Sequence, residues 1–142
     1  MEIVIHTDGG AIGNPGPSAI GVVIEYGGKK KTYAENIGEG TNNEAEYKAL
    51  IFALKKLKAL IGSKNAKDAQ IKCFSDSQLM VNQLNHQFKL NHEKIIPLFA
   101  KIWNLMMEYR KTEFIYVPLE QNQEADALVK SVIGGGRQNS FL

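Results

Sequence analysis

Residues 2–10 read EIVIHTDGG, a run rich in β-branched residues that ends at two glycines. Such a run, bounded by turn residues, is typical of a β-strand. A turn cluster, GNPGP at residues 13–17, separates it from a second predicted strand over residues 19–26. Two further glycines then predict a hairpin into a third strand over residues 29–37. The opening of the chain is therefore expected to form an antiparallel meander.

Thr41 and Glu44 have the spacing of a capping box, which predicts a helix from about Asn42 to Ile61 and a loop over residues 62–67. The remaining predicted elements are a strand over residues 70–75, helices over 78–85 and 92–110, a strand over 113–117, and a helix that Asn122 caps and that ends near Ile133. This order, βββαβααβα, predicts an α/β fold. Its five-stranded mixed sheet has an antiparallel half and a parallel half, and helices cover both faces.

The composition is that of one globular domain with 142 residues, 44% apolar residues, 23% charged residues and a net charge of +2. We assign residues 1–133 to this domain and expect the glycine-rich residues 134–142 to be a flexible tail. The near-neutral charge argues against a protein that coats nucleic acid by charge alone. No apolar run approaches the length of a membrane helix, and no signal peptide is predicted. The single cysteine, Cys73, excludes an intramolecular disulfide and favours a cytoplasmic protein.

Four acids stand at the ends of predicted strands or near the starts of predicted helices: Asp8, Glu46, Asp76 and Asp126. Each taken alone has an ordinary explanation, because acids stabilise helix N-termini and form turns. Asp8 and Asp76, however, end strands at the sheet edge where ligands of α/β proteins bind. Converging carboxylates repel one another unless a divalent cation compensates them, and an all-oxygen ligand set suits Mg²⁺ or Mn²⁺. Zinc has little support, since the histidines and Cys73 lack ligand spacing. The pattern therefore indicates metal-assisted phosphodiester chemistry.

Four sequence blocks resemble those of type 1 ribonuclease H, in the order and spacing of that family. They are TDGG at 7–10 with GNPGP at 13–17, TNNEAEY at 41–47, SDSQ at 75–78, and NQEADAL at 122–128. Each block is weak evidence alone, but together they span about residues 3–133. The resemblance implies the ribonuclease H-like fold, which agrees with the element order predicted independently.

The resemblance also implies an activity, which is cleavage of the RNA strand of RNA/DNA hybrids to give 5′-phosphate and 3′-hydroxyl ends. It implies two Mg²⁺ ions, with Mn²⁺ as a substitute. By the same resemblance, the catalytic and metal-binding residues are Asp8, Glu46, Asp76 and Asp126. The family's hybrid-contacting positions correspond to Gly9, Gly10, Asn14, Asn42, Asn43 and Gln78. Glycines allow close approach of the backbone, and exposed amides can meet 2′-hydroxyl groups.

Two departures from the family pattern place the chain with its short-looped bacterial and archaeal members. The loop before Asp126 lacks the histidine that many members carry, so we expect slower turnover, with Glu120 as a partial substitute. Residues 86–97 are too short and contain too few lysines to form the basic protrusion of other members. Weaker hybrid binding is therefore expected, unless other lysines contribute: Lys55, Lys56, Lys58, Lys64 and Lys67. Trp103 and Cys73 are interpreted as core residues.

Two other functions remain open at this point. A nuclease of the same fold could cut double-stranded RNA or DNA, although the Asn and Gly contact set favours a substrate with 2′-hydroxyl groups. A binding module without activity is the second alternative, and the intact set of four acids argues against it. We expect the chain to act as a monomer.

Overall fold

The computed structural model describes the backbone of residues 1–141 and the side chains of residues 1–133. Its first three strands form the predicted meander, and two more strands join it through helices. The elements are β1 (Glu2–Ala11), β2 (Gly16–Tyr26), β3 (Lys29–Gly40), α1 (Asn42–Asp68), β4 (Gln70–Ser75), α2 (Gln78–Leu84), α3 (Ile95–Met106), β5 (Lys111–Tyr116), a 3₁₀ turn (Leu119–Gln121) and α4 (Gln123–Phe141). The predicted order of elements is therefore confirmed.

The five strands form one mixed sheet in the order β3-β2-β1-β4-β5. β2 pairs antiparallel with both β1 and β3, whereas β4 pairs parallel with both β1 and β5. β1 is thus the central strand, where the antiparallel half meets the parallel half. Its carboxyl end lies beside that of β4, because Thr7 is paired with Ser75.

The main hydrophobic core lies between the sheet and α1, with α3 packed outside α1. Alternate residues of β1 and β2 point into it, including Ile3, Ile5 and Ile24, each at most 1% exposed. Helix α4 packs on the other face of the sheet, across β1, β2 and β3. Helices therefore cover both faces of the sheet, as predicted. The adjacent carboxyl ends of β1 and β4 remain available for a site.

Helix α1 begins where the capping box predicted. The Thr41 hydroxyl accepts a hydrogen bond from the Glu44 amide, and the Glu44 carboxylate accepts one from the Thr41 amide. The predicted loop over residues 62–67 is wrong, because helical structure resumes after a kink and continues to Asp68. The kink is at Gly62, whose φ of 83° is favourable only for glycine.

Two further expectations need correction or qualification. Trp103 is not a core residue, because its side chain is 63% exposed on α3, whereas neighbouring Ile102 is fully buried. Cys73 is buried as predicted. Helix α4 continues past Ile133 to Phe141. The side chains of the expected tail, residues 134–142, lie outside the described residues, so the domain boundary at residue 133 stays a prediction. Within the described residues, no helix combines the length and apolar character needed to cross a membrane.

Candidate metal centre

Three of the four predicted acids converge at the carboxyl ends of β1 and β4. Asp8 lies near the end of β1, Asp76 directly follows β4, and Glu46 lies in the second turn of α1. One carboxylate oxygen from each lies within 4.8 Å of those of the other two. We call these three residues the acid cluster. They come from parts of the chain that are distant in sequence, and the parallel pairing of β1 with β4 aligns two of them.

A glycine in β1 allows α1 to bring its glutamate into the cluster. A Cβ atom added at Gly9 would lie 2.3 Å from the carbonyl carbon of Ala45 and 2.6 Å from the backbone nitrogen of Glu46. Contacts this short are sterically impossible, so any larger residue at Gly9 would push α1 away from β1. The predicted role of Gly9 was contact with the substrate, and the structure gives this glycine a place in helix packing.

A second glycine brings α4 close to the same region. Gly21 in β2 is the pairing partner of Asp8. A Cβ atom added at Gly21 would lie 2.3 Å from the carbonyl oxygen of Ala125, the residue before Asp126. The absence of a side chain at Gly21 therefore lets the start of α4 approach the strand beside Asp8.

Asp126, the fourth predicted acid, lies near the acid cluster without being part of it. Its carboxylate interacts with that of Asp8. Its Oδ2 atom also pairs with the ammonium group of Lys130, one helical turn further along α4, at 2.9 Å. The structure therefore brings all four predicted acids to one region, where three are clustered and the fourth has a lysine partner.

Burial and mutual repulsion among the carboxylates dominate the electrostatics of the cluster. Burial, followed by the negative charges of Asp76 and Asp126, raises the pKa of Asp8 to about 8. The pKa of Glu46 is also raised well above its ordinary value, first by burial and then by the charges of Asp8 and Asp76. Both shifts express the cost of holding several carboxylates together away from water.

The cluster fits a divalent cation by two criteria. Its ligand atoms are all carboxylate oxygens, which suit Mg²⁺ or Mn²⁺. In addition, the Oε1 atom of Glu46 is buried and has no hydrogen-bond partner among the described residues. A buried charged oxygen without a partner is costly, and coordination of a cation would satisfy it.

Asn122 is a site residue that the sequence analysis did not identify. Its side chain was expected to cap α4, but instead its amide nitrogen donates hydrogen bonds to the carbonyl oxygen of Thr7, at 2.8 Å, and to Oδ1 of Asp76, at 3.3 Å. The side chain is 1% exposed, and its own oxygen has no partner among the described residues. Asn122 therefore links the carboxyl end of β1 to an acid of the cluster. Its position in the NQEADAL block was the available signal.

The predicted substrate-binding residues surround the start of α1 and α2. Asn14 and Asn42 are exposed, and their amide oxygens accept backbone hydrogen bonds from Asn42 and Ala11, at 2.9 and 2.8 Å. Among the side-chain hydrogen bonds of residues 1–133, none uses the NH₂ group of either residue. Gln78 is also exposed. These positions therefore present amide donors to solvent around the start of α1 and at the start of α2.

The other two predicted substrate positions are less open. Asn43 is half-buried, and its amide oxygen is buried without a partner among the described residues. Gly10 is half-buried, and a Cβ atom there would contact Val129 of α4 at 3.5 Å. Of the five candidate lysines, Lys58 pairs with Glu108 at 3.1 Å and Lys56 lies over the rings of Tyr33 and Phe52.

Comparison with known proteins identifies the family. A family model described as "Reverse transcriptase-like" matches residues 6–132. The chain also matches a solved ribonuclease H1 from Halobacterium salinarum, with 31% identity and a TM-score of 0.83 over 95% of this chain and 99% of that one. The chain belongs to the type 1 ribonuclease H family.

Two other members extend this comparison. LC11 ribonuclease H1, isolated from compost by a metagenomic approach, was solved in complex with an RNA/DNA hybrid. In that complex it is 40% identical, with a TM-score of 0.83 over 91% of this chain and 94% of that one. A curated "bifunctional protein" of Mycobacterium tuberculosis is 32% identical over 143 residues, which cover 99% of this chain. The chain spans only 38% of the length of that relative.

Proposed function

We propose that this chain is an endoribonuclease that hydrolyses the RNA strand of RNA/DNA hybrids and leaves 5′-phosphate and 3′-hydroxyl ends. The observation that carries the proposal is the acid cluster, in which Asp8, Glu46 and Asp76 converge and a buried Glu46 oxygen lacks a partner. Membership of the ribonuclease H family supports the same reaction. The LC11 complex with a hybrid supports the substrate.

In this proposal, the acid cluster and Asp126 hold two Mg²⁺ or Mn²⁺ ions. When bound, such ions supply activation of the attacking water and stabilisation of the departing 3′-oxygen. The amide nitrogen of Asn122 donates hydrogen bonds to both the Thr7 carbonyl and the Asp76 carboxylate, and it thereby keeps this carboxylate in place. Because the loop before Asp126 has no histidine, we propose that protons exchange with solvent there, next to the exposed Glu120.

Recognition of the hybrid is proposed to involve the residues around the start of α1 and α2. The amide groups of Asn14, Asn42 and Gln78 face solvent and can donate hydrogen bonds to 2′-hydroxyl groups or bases. Gly9, Gly10 and Asn43 contribute mainly by shaping the surface beside the acids. All four acids come from one chain, so the site needs no residue of a second copy, and we propose that the enzyme acts as a monomer.

Cleavage of end-labelled duplexes tests the proposal. Hybrid, double-stranded RNA and double-stranded DNA are each incubated with the wild type and with Asp8→Asn, in Mg²⁺, Mn²⁺ or EDTA. We expect metal-dependent cleavage of the hybrid that is lost in Asp8→Asn. Asp68→Asn is the matched control, because it removes the same charge from an exposed position at the end of α1.

The products distinguish the finer claims. RNA fragments that a 5′-phosphate-dependent exonuclease degrades, and that a 3′-end polymerase extends, would support the proposed ends. Equal cutting of double-stranded RNA would widen the substrate class but keep the mechanism. Absence of cleavage of every duplex in both metals would refute the enzymatic proposal and favour a binding module.

A further inference from the structure

Lys130 distinguishes Asp126 from the other three acids. Its ammonium nitrogen lies 2.9 Å from Oδ2 of Asp126, so this carboxylate has a cationic partner on its own helix. Asp8, Glu46 and Asp76 have no lysine or arginine partner among the described residues, and they form the acid cluster without Asp126. Asp126, which contacts Asp8 but is not one of the three clustered acids, is therefore the acid that a side chain neutralises.

Lys130 also lies at the solvent side of the site. Its side chain is 73% exposed, whereas that of Asp126 is 22% exposed. The ammonium group interacts with the Asp8 carboxylate as well as with Asp126. A phosphodiester that approaches the acids from solvent would therefore come close to this positive charge. Because the side chain is largely exposed and flexible, it can leave Asp126 without disturbing the packing of α4.

A divalent cation and an ammonium group compete for one carboxylate oxygen. A cation that takes Oδ2 of Asp126 as its ligand would release the ammonium group of Lys130, and this charge would then be free for a substrate phosphate. We propose that Lys130 is an exchangeable counter-ion, which neutralises Asp126 in the metal-free protein and binds a phosphate of the nucleic acid once a metal ion occupies Asp126. This inference rests on the proposed function. It makes metal binding and nucleic-acid binding mutually reinforcing through one side chain.

Two binding measurements on Lys130→Gln test the exchange. In calorimetric titration with Mg²⁺ and no nucleic acid, we expect the variant to bind about two- to fivefold more tightly, since a competing exposed ion pair is removed. Hybrid binding is then measured by fluorescence anisotropy in Ca²⁺ and in EDTA, with a gel to verify that the RNA is intact. In Ca²⁺ the variant should bind the hybrid about three- to tenfold more weakly, with the log–log salt slope reduced by about 1.

Hybrid binding measured in EDTA distinguishes an exchange from a permanent phosphate contact. There Lys130 remains on Asp126 in the wild type, so the variant should lose much less hybrid affinity in EDTA than in Ca²⁺, and only through the uncovered charge of Asp126. Lys130→Arg should restore the hybrid affinity in Ca²⁺. Lys101→Gln removes the same charge from an exposed position on α3 and should change neither measurement.

Two results would overturn the inference. Equal weakening in EDTA and in Ca²⁺ would make Lys130 a permanent phosphate contact, and unchanged or weaker Mg²⁺ binding would exclude competition. Failure of the proposed function is distinguishable from both, because wild-type protein would then show no metal-dependent hybrid cleavage.

Discussion

Replacing Asp8 with asparagine is expected to stabilise the metal-free protein even though it removes the central acid of the proposed site. Asp8 is only 6% exposed, and burial together with the charges of Asp76 and Asp126 raises its pKa to about 8. Its own charge in turn helps to raise the pKa of Glu46. An asparagine of nearly the same shape removes the charge and both repulsions.

The size of the effect follows from the pKa of Asp8 in the two states. The ordinary pKa is 3.8, so at pH 7 the unfolded chain has released a proton that the folded chain retains. Each pH unit between 3.8 and 7 lowers the free energy of unfolding by about 1.4 kcal/mol. The raised pKa of Asp8 therefore costs at most about 4 kcal/mol at pH 7. Water entry and side-chain rotation reduce this cost, so we expect Asp8→Asn to raise the free energy of unfolding by about 2 kcal/mol at pH 7.

The sign of the pH dependence is equally specific. A raised acid pKa in the folded state makes the free energy of unfolding fall as the pH rises from about 4 to about 8. Urea denaturation in EDTA should therefore show wild type and Asp8→Asn converging near pH 4 and differing most near pH 8. Excess Mg²⁺ should stabilise the wild type more than the variant, because only the wild type retains the full ligand set.

The matched control is Asp68→Asn, which removes an exposed aspartate at the end of α1. Its free energy of unfolding should differ from that of wild type by no more than about 0.5 kcal/mol at any of these pH values. The reasoning would be refuted if Asp8→Asn were no more stable than wild type at pH 8 in EDTA, or if Asp68→Asn gained as much stability.

Three further substitutions test how the site and core are built. Gly21→Ala should lower the free energy of unfolding by about 1–3 kcal/mol, because the new Cβ meets the backbone of α4, and an unchanged urea midpoint would contradict this close approach. Asn122→Ala should lower the free energy of unfolding by about 1–3 kcal/mol, because it leaves the Thr7 carbonyl without its side-chain donor. It should also weaken Mg²⁺ binding in calorimetry, because Asp76 loses the same donor, and intact Mg²⁺ affinity would argue against a positioning role. Trp103→Ala should change the free energy of unfolding by less than about 1 kcal/mol, whereas Ile102→Ala should cost about 2–5 kcal/mol, and equal losses in urea denaturation would contradict the observed orientation of α3.

The sequence predicted the order of elements and the location of the acids because both depend on local patterns. The capping box at Thr41 and Glu44 placed the start of α1, and strand ends placed Asp8 and Asp76 at one edge of the sheet. Glu46 could be predicted as a partner because a charged residue on the apolar stripe of a helix needs compensation.

Other features depend on packing that a local pattern does not contain. Helix α3 has more apolar residues than its inward face can hold, and the sequence did not show that Trp103 lies outside while Ile102 lies inside. Asn122 is an ordinary cap by sequence. Its contacts with Thr7 and Asp76 exist only because the ends of β1 and β4 lie side by side and the start of α4 packs against them. The close approach at Gly9 likewise appears only when α1 lies against the sheet.

The dependence on α4 has a consequence for the protein as it is being made. The three residues of the acid cluster all precede α4 in the chain, but Asn122 and Asp126 are synthesised only after β5. A nascent chain can assemble the sheet and α1 first, since folding during synthesis proceeds from the N-terminus. Until α4 docks beside Gly21, this chain lacks two groups of the site. One is the Asn122 amide that holds Asp76, and the other is the carboxylate of Asp126. The proposed nuclease activity is therefore expected to depend on the docking of α4, which completes the site after the sheet and α1 have formed.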